Sequence, residues 1–241
     1  MPRHASAPPR EVLILMARPP RPGRAKTRLI PRLGAAGAAR VCEGFILDTL
    51  DLAGRAGGPV AAFTAGRMPE ALRRAAPAGT AWAPQGPGDL GARMRRAFAR
   101  CFAGGAVRCV MLGTDSPGLP LRHVREAFRR LRASDAVVGP ALDGGYYLLG
   151  LARPTPELLR GMPWSSPDLL RATHARAAQL GLSLAVLPPW FDVDQPADLD
   201  VLAGLAAAGR LRPRPRHTLA RLDELDAGAP RPALTRKKGI P

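Results

Sequence analysis

The chain has 241 residues, 46% of them apolar, which suits one sizeable domain with a buried core and excludes wholesale disorder. No apolar run approaches the roughly 20 residues needed to cross a bilayer. The opening MPRHASAPPR lacks the apolar segment of a secretory signal, so a cytoplasmic location is expected.

The pattern of elements alternates. EVLILMA (11–17) reads as a buried strand, and helical periodicity follows from Thr27 to about Arg55, loosened by Pro31 and Gly34. PVAAFTA is a second strand, Pro69–Ala76 a short helix and TAWAP a third strand. LGARMRRAFARCF is helical, and RCVMLG is a buried strand that stops at the turn-rich TDSPGLP. LRHVREAFRRLR then predicts a helix, DAVVGP and YYLLGLA two strands, Asp168–Leu180 a helix, LSLAVLP a strand and ADLDVLAGLAAAG a last helix. Strands alternating with helices at this spacing predict a three-layer α/β/α sandwich around a mostly parallel sheet. Residues 1–10 read as an N-terminal extension, 11–209 as the domain, and 210–241 as a basic Pro/Arg-rich tail in which only HTLARLDEL is a candidate helix.

The formal charge of +17 invites a nucleic-acid reading, but its distribution does not support one. Nine Lys and Arg stand against three acids from Arg210 onward, and stretches such as ARMRRAFAR read as solvated helix faces. Aromatics are 5% of the chain and none interleaves with the Arg-rich tail, so stacking on single strands lacks its usual platform. Cys42, Cys101 and Cys109 are odd in number without CxxC spacing, and read as small buried hydrophobes. The four histidines, at 4, 123, 174 and 217, show no ligand spacing.

In sheets of this kind ligands bind beyond the carboxyl ends of the strands, and the chemically loaded loops here all follow strands. The first, RPPRPGRAKTR, gathers Arg18, Arg21, Arg24, Lys26 and Arg28 around Gly23 with no acid among them. It is neither a P-loop nor a dinucleotide fingerprint, since the glycines of both are missing. A cationic loop feeding a helix start still suits phosphate, with Lys26 and Arg28 supplying full charges; the alternative is a solvated basic turn. Lysine occurs only at 26, 237 and 238, so Lys26 is the single lysine before the tail. A compact ammonium differs from a guanidinium fork where a phosphate lies deep in a loop.

In LGTDSPGLP, Asp115 lies just past a buried strand, where it either joins a divalent metal and nucleotide phosphates or caps the turn near Ser116 and Gly118. In WFDVDQPADL, Asp192 and Asp194 alternate around Val193, so one could complete a metal site with Asp115; otherwise Asp194 caps the next helix. In GPALDGGYYLLG, Asp143 with Gly144 and Gly145 either meets an acceptor or forms a hairpin turn. In PQGPGDLGARM, Gln85, Gly88 and Asp89 either contact a nucleobase edge or belong to the N-cap of the next helix.

Taken in order, PPRPGRAKTRL, GDLGARM, LGTDSPGLP, GPALDGGYYLLGL, PWSSPDLL and DVDQPADL resemble the nucleotide-diphospho-sugar transferase (GT-A-like) superfamily, from about Val12 to Leu202. More narrowly the chain resembles a bacterial branch of radical-SAM/selenodomain-associated, arsenosugar-biosynthesis-like transferases, and its first loop is similar to that of phospholactate guanylyltransferases. The resemblance implies a nucleotide held by the first loop, including Arg18 and Gly23, and by Gln85–Leu90, with Asp115 ligating Mg²⁺ or Mn²⁺. Arg18 stands where such families often carry Lys. Asp143, Gly144 and Gly145 would face a small-molecule acceptor, with Trp164 closing over it. The cationic loop and the single Asp of TDS, in place of a paired D-x-D, favour nucleotidyl over glycosyl transfer, with Lys26, Arg28 and Asp115 as catalytic residues. Glycosyl transfer from a nucleotide sugar is the alternative, and nucleic-acid binding a distant third.

Overall fold

A computed structural model of the chain describes residues 10–228. Seven strands form one sheet: β1 (Glu11–Ala17), β2 (Val60–Thr64), β3 (Ala81–Pro84), β4 (Arg108–Leu112), β5 (Ala136–Pro140), β6 (Tyr146–Leu151) and β7 (Leu184–Val186). Their order is β3-β2-β1-β4-β6-β5-β7, and all neighbours are parallel except that β6 runs antiparallel to both β4 and β5. The helices are α1 (Ile30–Ala56), α2 (Glu70–Arg74), α3 (Leu90–Ala103), α4 (Leu121–Arg130), α5 (Leu169–Gln179), α6 (Pro196–Ala207) and α7 (Arg216–Gly228). The α/β/α sandwich expected from the alternating pattern is the observed architecture.

The layers follow from side-chain alternation along the strands. Leu13 and Leu15 of β1 face Ile46 and Leu50 of α1 and Val124 and Ala127 of α4. Val12 and Ile14 face the other way, onto Met94 and Phe98 of α3 and Ala177 of α5. Burying both faces explains why β1 and β4 read as unbroken apolar runs. A third cluster lies outside α1, where Ala38, Val41 and Phe45 meet Leu199 and Leu202 of α6.

The stretch read as a tail is, through Gly228, part of this packing. Leu219, Leu222 and Leu225 of α7, spaced three apart on one helical face, pack into the cluster outside α1. Buried Asp48 of α1 accepts from the backbone N–H of His217 (3.0 Å) and Thr218 (2.9 Å) and from Thr218 Oγ1 (2.6 Å). These bonds satisfy orphan donors at the start of α7. Burial raises the Asp48 pKa, and the hydrogen bonds from Thr218 and His217 work against that rise. His4, Lys237 and Lys238 lie outside the described residues. Among the described residues no helix is long and apolar enough to cross a membrane.

Candidate active site

The chain leaves β1 through α1 to β2 on one side, and later enters β4 on the other side of β1. Such a reversal opens a crevice at the carboxyl ends of the two central strands. A cleft of about 890 Å³ lies there, a volume within the range that holds small-molecule ligands. Its lining brings together Arg18, Arg24, Lys26 and Arg28 of the first loop, Gln85, Gly88, Asp89 and Leu90 before α3, Asp115 after β4, Asp143 and Gly145 before β6, and Asp192 and Asp194 before α6.

Lys26 is the centre of the charge arrangement. Its Nζ lies 2.6 Å from Asp115 Oδ1 and 2.8 Å from Asp194 Oδ1, and donates to the Val193 carbonyl at 2.8 Å. The side chain is 8% exposed, against 50% and 41% for the two acids. Phe45 lies under the ammonium, 5.0 Å from Nζ to the ring centroid. Burial alone would lower the Lys26 pKa; the charges of Asp115 and Asp194 and their hydrogen bonds outweigh it and hold the ammonium above its ordinary value. Lys26 adopts a left-handed backbone (φ 45°, ψ 50°), a conformation that costs a non-glycine residue about 1–3 kcal/mol and persists only where its surroundings enforce it. The lysine expected at the phosphates is thus paired in this structure with the two acids expected to hold the metal. A 3-10 turn (Thr27–Leu29) and the left-handed φ of Gly34 also separate the loop from the regular part of α1.

Distant acids converge through backbone pairing. Val193 N–H donates to the Asp115 carbonyl (2.8 Å), which lays the loop before α6 alongside the loop after β4. The cap of α6 is Gln195 with Asp198, whose Oδ2 accepts from the N–H groups of Asp194 (2.9 Å) and Gln195 (2.7 Å). The Asp194 carboxylate is thereby left to Lys26. Asp192 pairs with the Ser116 hydroxyl. Burial, aided by the charges of Asp115 and Asp194, pushes its pKa up to about 6, with the Ser116 bond and Lys26 opposing. Cys42 also lines the cleft, where burial and Asp115 push its thiol up to about 11.

Several of the expected site residues also make bonds within the fold. Asp89 caps α3, accepting from Ala92 N–H at 2.7 Å, and the Gly88 carbonyl accepts from Arg93 Nε at 2.9 Å. Gln85 Nε2 donates to the carbonyls of Ala17 (3.2 Å) and Phe63 (3.1 Å), which occupies both amide donors and leaves the amide oxygen as the group's acceptor. Asp143 Oδ1 accepts from Gly145 N–H at 2.9 Å, closing the β5–β6 turn. The close approach at Gly144 is to the protein: an added Cβ would stand 2.1 Å from the Pro167 carbonyl oxygen, at φ +87°. Trp164 packs on the first turn of α3, where a Cβ on Gly91 would meet its Nε1 at 2.6 Å. Gly23 supplies a left-handed turn (φ 73°) in the loop.

Sequence reasoning missed Arg93, Tyr146, Ser165 and Ser166, all of which line the cleft. Arg93 was hidden among helix-face arginines. Tyr146 followed the glycine pair without any signal of its own.

Residues 49–166 match DUF2064, a family described as an uncharacterized protein conserved in bacteria. No curated protein matches the chain. A crystal structure from Desulfovibrio desulfuricans G20, of a protein provisionally described as a nucleotide-diphospho-sugar transferase, is 32% identical with a TM-score of 0.82. The match covers 90% of this chain and 95% of that one. CMP:2-keto-3-deoxy-manno-octonic acid synthetase in complex with CTP shares the fold at 14% identity and TM-score 0.53, over 83% of this chain and 99% of that one. So does a nucleotidyl transferase from Methanothermobacter thermautotroptrophicus, at 17% identity and TM-score 0.53, over 79% and 95%.

Proposed function

The chain belongs to the same nucleotide-diphospho-sugar transferase family as the Desulfovibrio protein, and we propose that it is a nucleotidyltransferase. It moves a nucleotidyl group from a nucleoside triphosphate to a small phosphorylated or hydroxylated acceptor, assisted by Mg²⁺ or Mn²⁺. The observation that carries this reading is the cleft itself, in which Arg18, Arg24, Lys26, Arg28 and Arg93 share one wall system with Asp115, Asp192 and Asp194. With Asp89 capping α3 and Asp143 closing the β5–β6 turn, a metal ion on the remaining acids leaves the cations to a triphosphate, which brings more negative charge than the diphosphate of a nucleotide sugar. Within the family, we assign the chain to the radical-SAM-associated branch on its loop motifs.

The residues fit a divalent ion. Three oxygens, from Asp115, Asp194 and the Val193 carbonyl, already cradle a cation, the ammonium of Lys26. Oxygen donors of this kind suit Mg²⁺ or Mn²⁺. Among the described residues no group of three or more His, Cys, Asp or Glu gathers to cage a metal. Mg²⁺ commonly uses one or two carboxylates and takes its remaining ligands from phosphate and water. Asp115 and Asp194 would hold the ion, which would supply charge neutralisation at the reacting phosphate. Asp192, tied to Ser116, would keep the loop after β4 in place.

The other roles belong to the chain's own side chains. Arg18, Arg24 and Arg28 stabilise negative charge on the phosphates, a contribution that grows as water is excluded. Lys26 turns to the phosphates once its acids are engaged elsewhere. The Gln85 amide oxygen accepts from the base. Glycosyl transfer from a nucleotide sugar is the second reading, favoured by the description of the Desulfovibrio relative.

Calorimetric titration with nucleoside triphosphates and with nucleotide sugars, each with Mg²⁺, separates the two. Tighter binding of one triphosphate, weakened by Arg24→Ala and Arg28→Ala, supports nucleotidyl transfer. Binding confined to a nucleotide sugar reverses the assignment.

A further inference from the structure

One wall of the cleft is not accounted for by phosphate chemistry. Met16 of β1, Met94 of α3, Met111 of β4, Leu149 of β6 and Leu169 of α5 line it. Met111 stands opposite Leu149 in the β4–β6 ladder and opposite Ile14 in the β1–β4 ladder, on the face covered by α3 and α5. Met16 is half-buried at the face of this wall, and Met94 and Met111, each 4% exposed, back it with thioether side chains that refit to irregular shapes.

A polar group is set among them. Tyr146 lines the cleft and packs with this apolar face, and its buried hydroxyl has no hydrogen-bond partner among the described residues. Buried hydroxyls without partners are uncommon and costly. A break in strand register brings it there. Gly139 pairs with Leu148, but the next residue, Pro140, pairs with Tyr146, so Tyr147 is an extra residue in β6. Regular alternation from Leu149 would send Tyr147 toward α3 and Tyr146 toward α4. The bulge reverses this. Tyr147 instead bonds His123 of α4 (2.9 Å) and the Pro188 carbonyl (3.0 Å), and Tyr146 joins the α3 face. Bulges beside active sites re-aim side chains in this way.

We propose that Tyr146 and the methionine wall form the acceptor subsite, which opens as the methionines refit, takes an organic alcohol or phosphate with an apolar body and bonds its oxygen through the Tyr146 hydroxyl. The inference rests on the transferase reading above and names the acceptor class within it. A freely polar acceptor such as a sugar phosphate would leave the methionines against hydroxyls and gain nothing from burying them.

The test uses the full chain saturated with the nucleotide and Mg²⁺ that stabilise it, titrated with phenyl phosphate and with glycerol phosphate. Phenyl phosphate is expected to bind at least tenfold more tightly than glycerol phosphate. Tyr146→Phe, which keeps the ring, is expected to lose about tenfold of that affinity, as for one hydrogen bond. Met16→Gln, at a half-buried position, weakens phenyl phosphate in the same sense. Equal affinity for the two probes, or a Tyr146→Phe protein that binds phenyl phosphate as the wild type does, overturns the subsite. Wild-type protein that binds no nucleotide at all overturns the transferase reading, and the subsite falls with it.

Discussion

Replacing Lys26 with Met removes the ammonium and keeps most of the stem. The change strands Asp115 and Asp194, whose oxygens lie 2.6 and 2.8 Å from Nζ, and frees the Val193 carbonyl. Breaking a fully buried ion pair costs about 3–5 kcal/mol, whereas an exposed pair is worth about 0–1 kcal/mol. Here the lysine side chain is 8% exposed while the acids are about half exposed, so water screens the stranded carboxylates. A loss of about 2 kcal/mol follows, which for a domain of this size is a fall of roughly 4–8 °C in Tm. The same substitution removes a tethered competitor from three oxygen donors, so Mn²⁺ without nucleotide should bind the variant more tightly. Differential scanning calorimetry reads the first effect and electron paramagnetic resonance of free Mn²⁺ the second. An unchanged Tm together with Mn²⁺ affinity equal to or below that of the wild type would refute the reasoning.

Three further outcomes are expected. Asp192, raised to about 6, binds its proton more tightly in the native state than in the unfolded chain, so its contribution to stability falls as pH rises from about 4 to 6. Asp192→Asn should abolish that slope and be more stable than wild type by about 2 kcal/mol at pH 7; an unaltered pH profile of Tm would contradict it. Asp48→Ala should cost about 2–3 kcal/mol through the lost anchor of α7, and a double-mutant cycle with Thr218→Val should show strong coupling, where additive effects would argue against the anchor. Gly144→Ala should destabilise by about 1–3 kcal/mol or more, because of its positive φ and the Pro167 carbonyl, while nucleotide affinity is retained; full stability would mean the turn can move away.

How much of this could be read in advance differs from element to element. Strands such as Val12–Met16 and Cys109–Leu112 were legible because burial on both faces leaves an apolar run that no loop tolerates. The antiparallel course of β6 was not legible, since YYLLGL reads identically in either direction, and the bulge at Tyr147 leaves no compositional mark. The helical pattern of HTLARLDEL was visible, but its partner Asp48 lies 170 residues away, and nothing in either segment names the other. The same distance effect hid the ion pairs of Lys26: the loops gave the right charges, and only the sheet order and the Val193–Asp115 bond bring Asp194 to the lysine. Asp89 and Asp143 show the opposite case, where a local explanation available from sequence, a cap and a turn, is the one the fold uses.

The most direct test of the central claim is thermal stabilisation of the wild-type chain and of Asp115→Asn by a panel of nucleoside triphosphates, with and without Mg²⁺ or Mn²⁺. A ligand specific for the folded state and present at about 100 times its Kd adds about 2.7 kcal/mol, or roughly 5–10 °C here. The account requires a metal-dependent rise with a triphosphate in the wild type that is lost or sharply reduced in Asp115→Asn. An equal rise in both proteins, or one indifferent to metal, would contradict it.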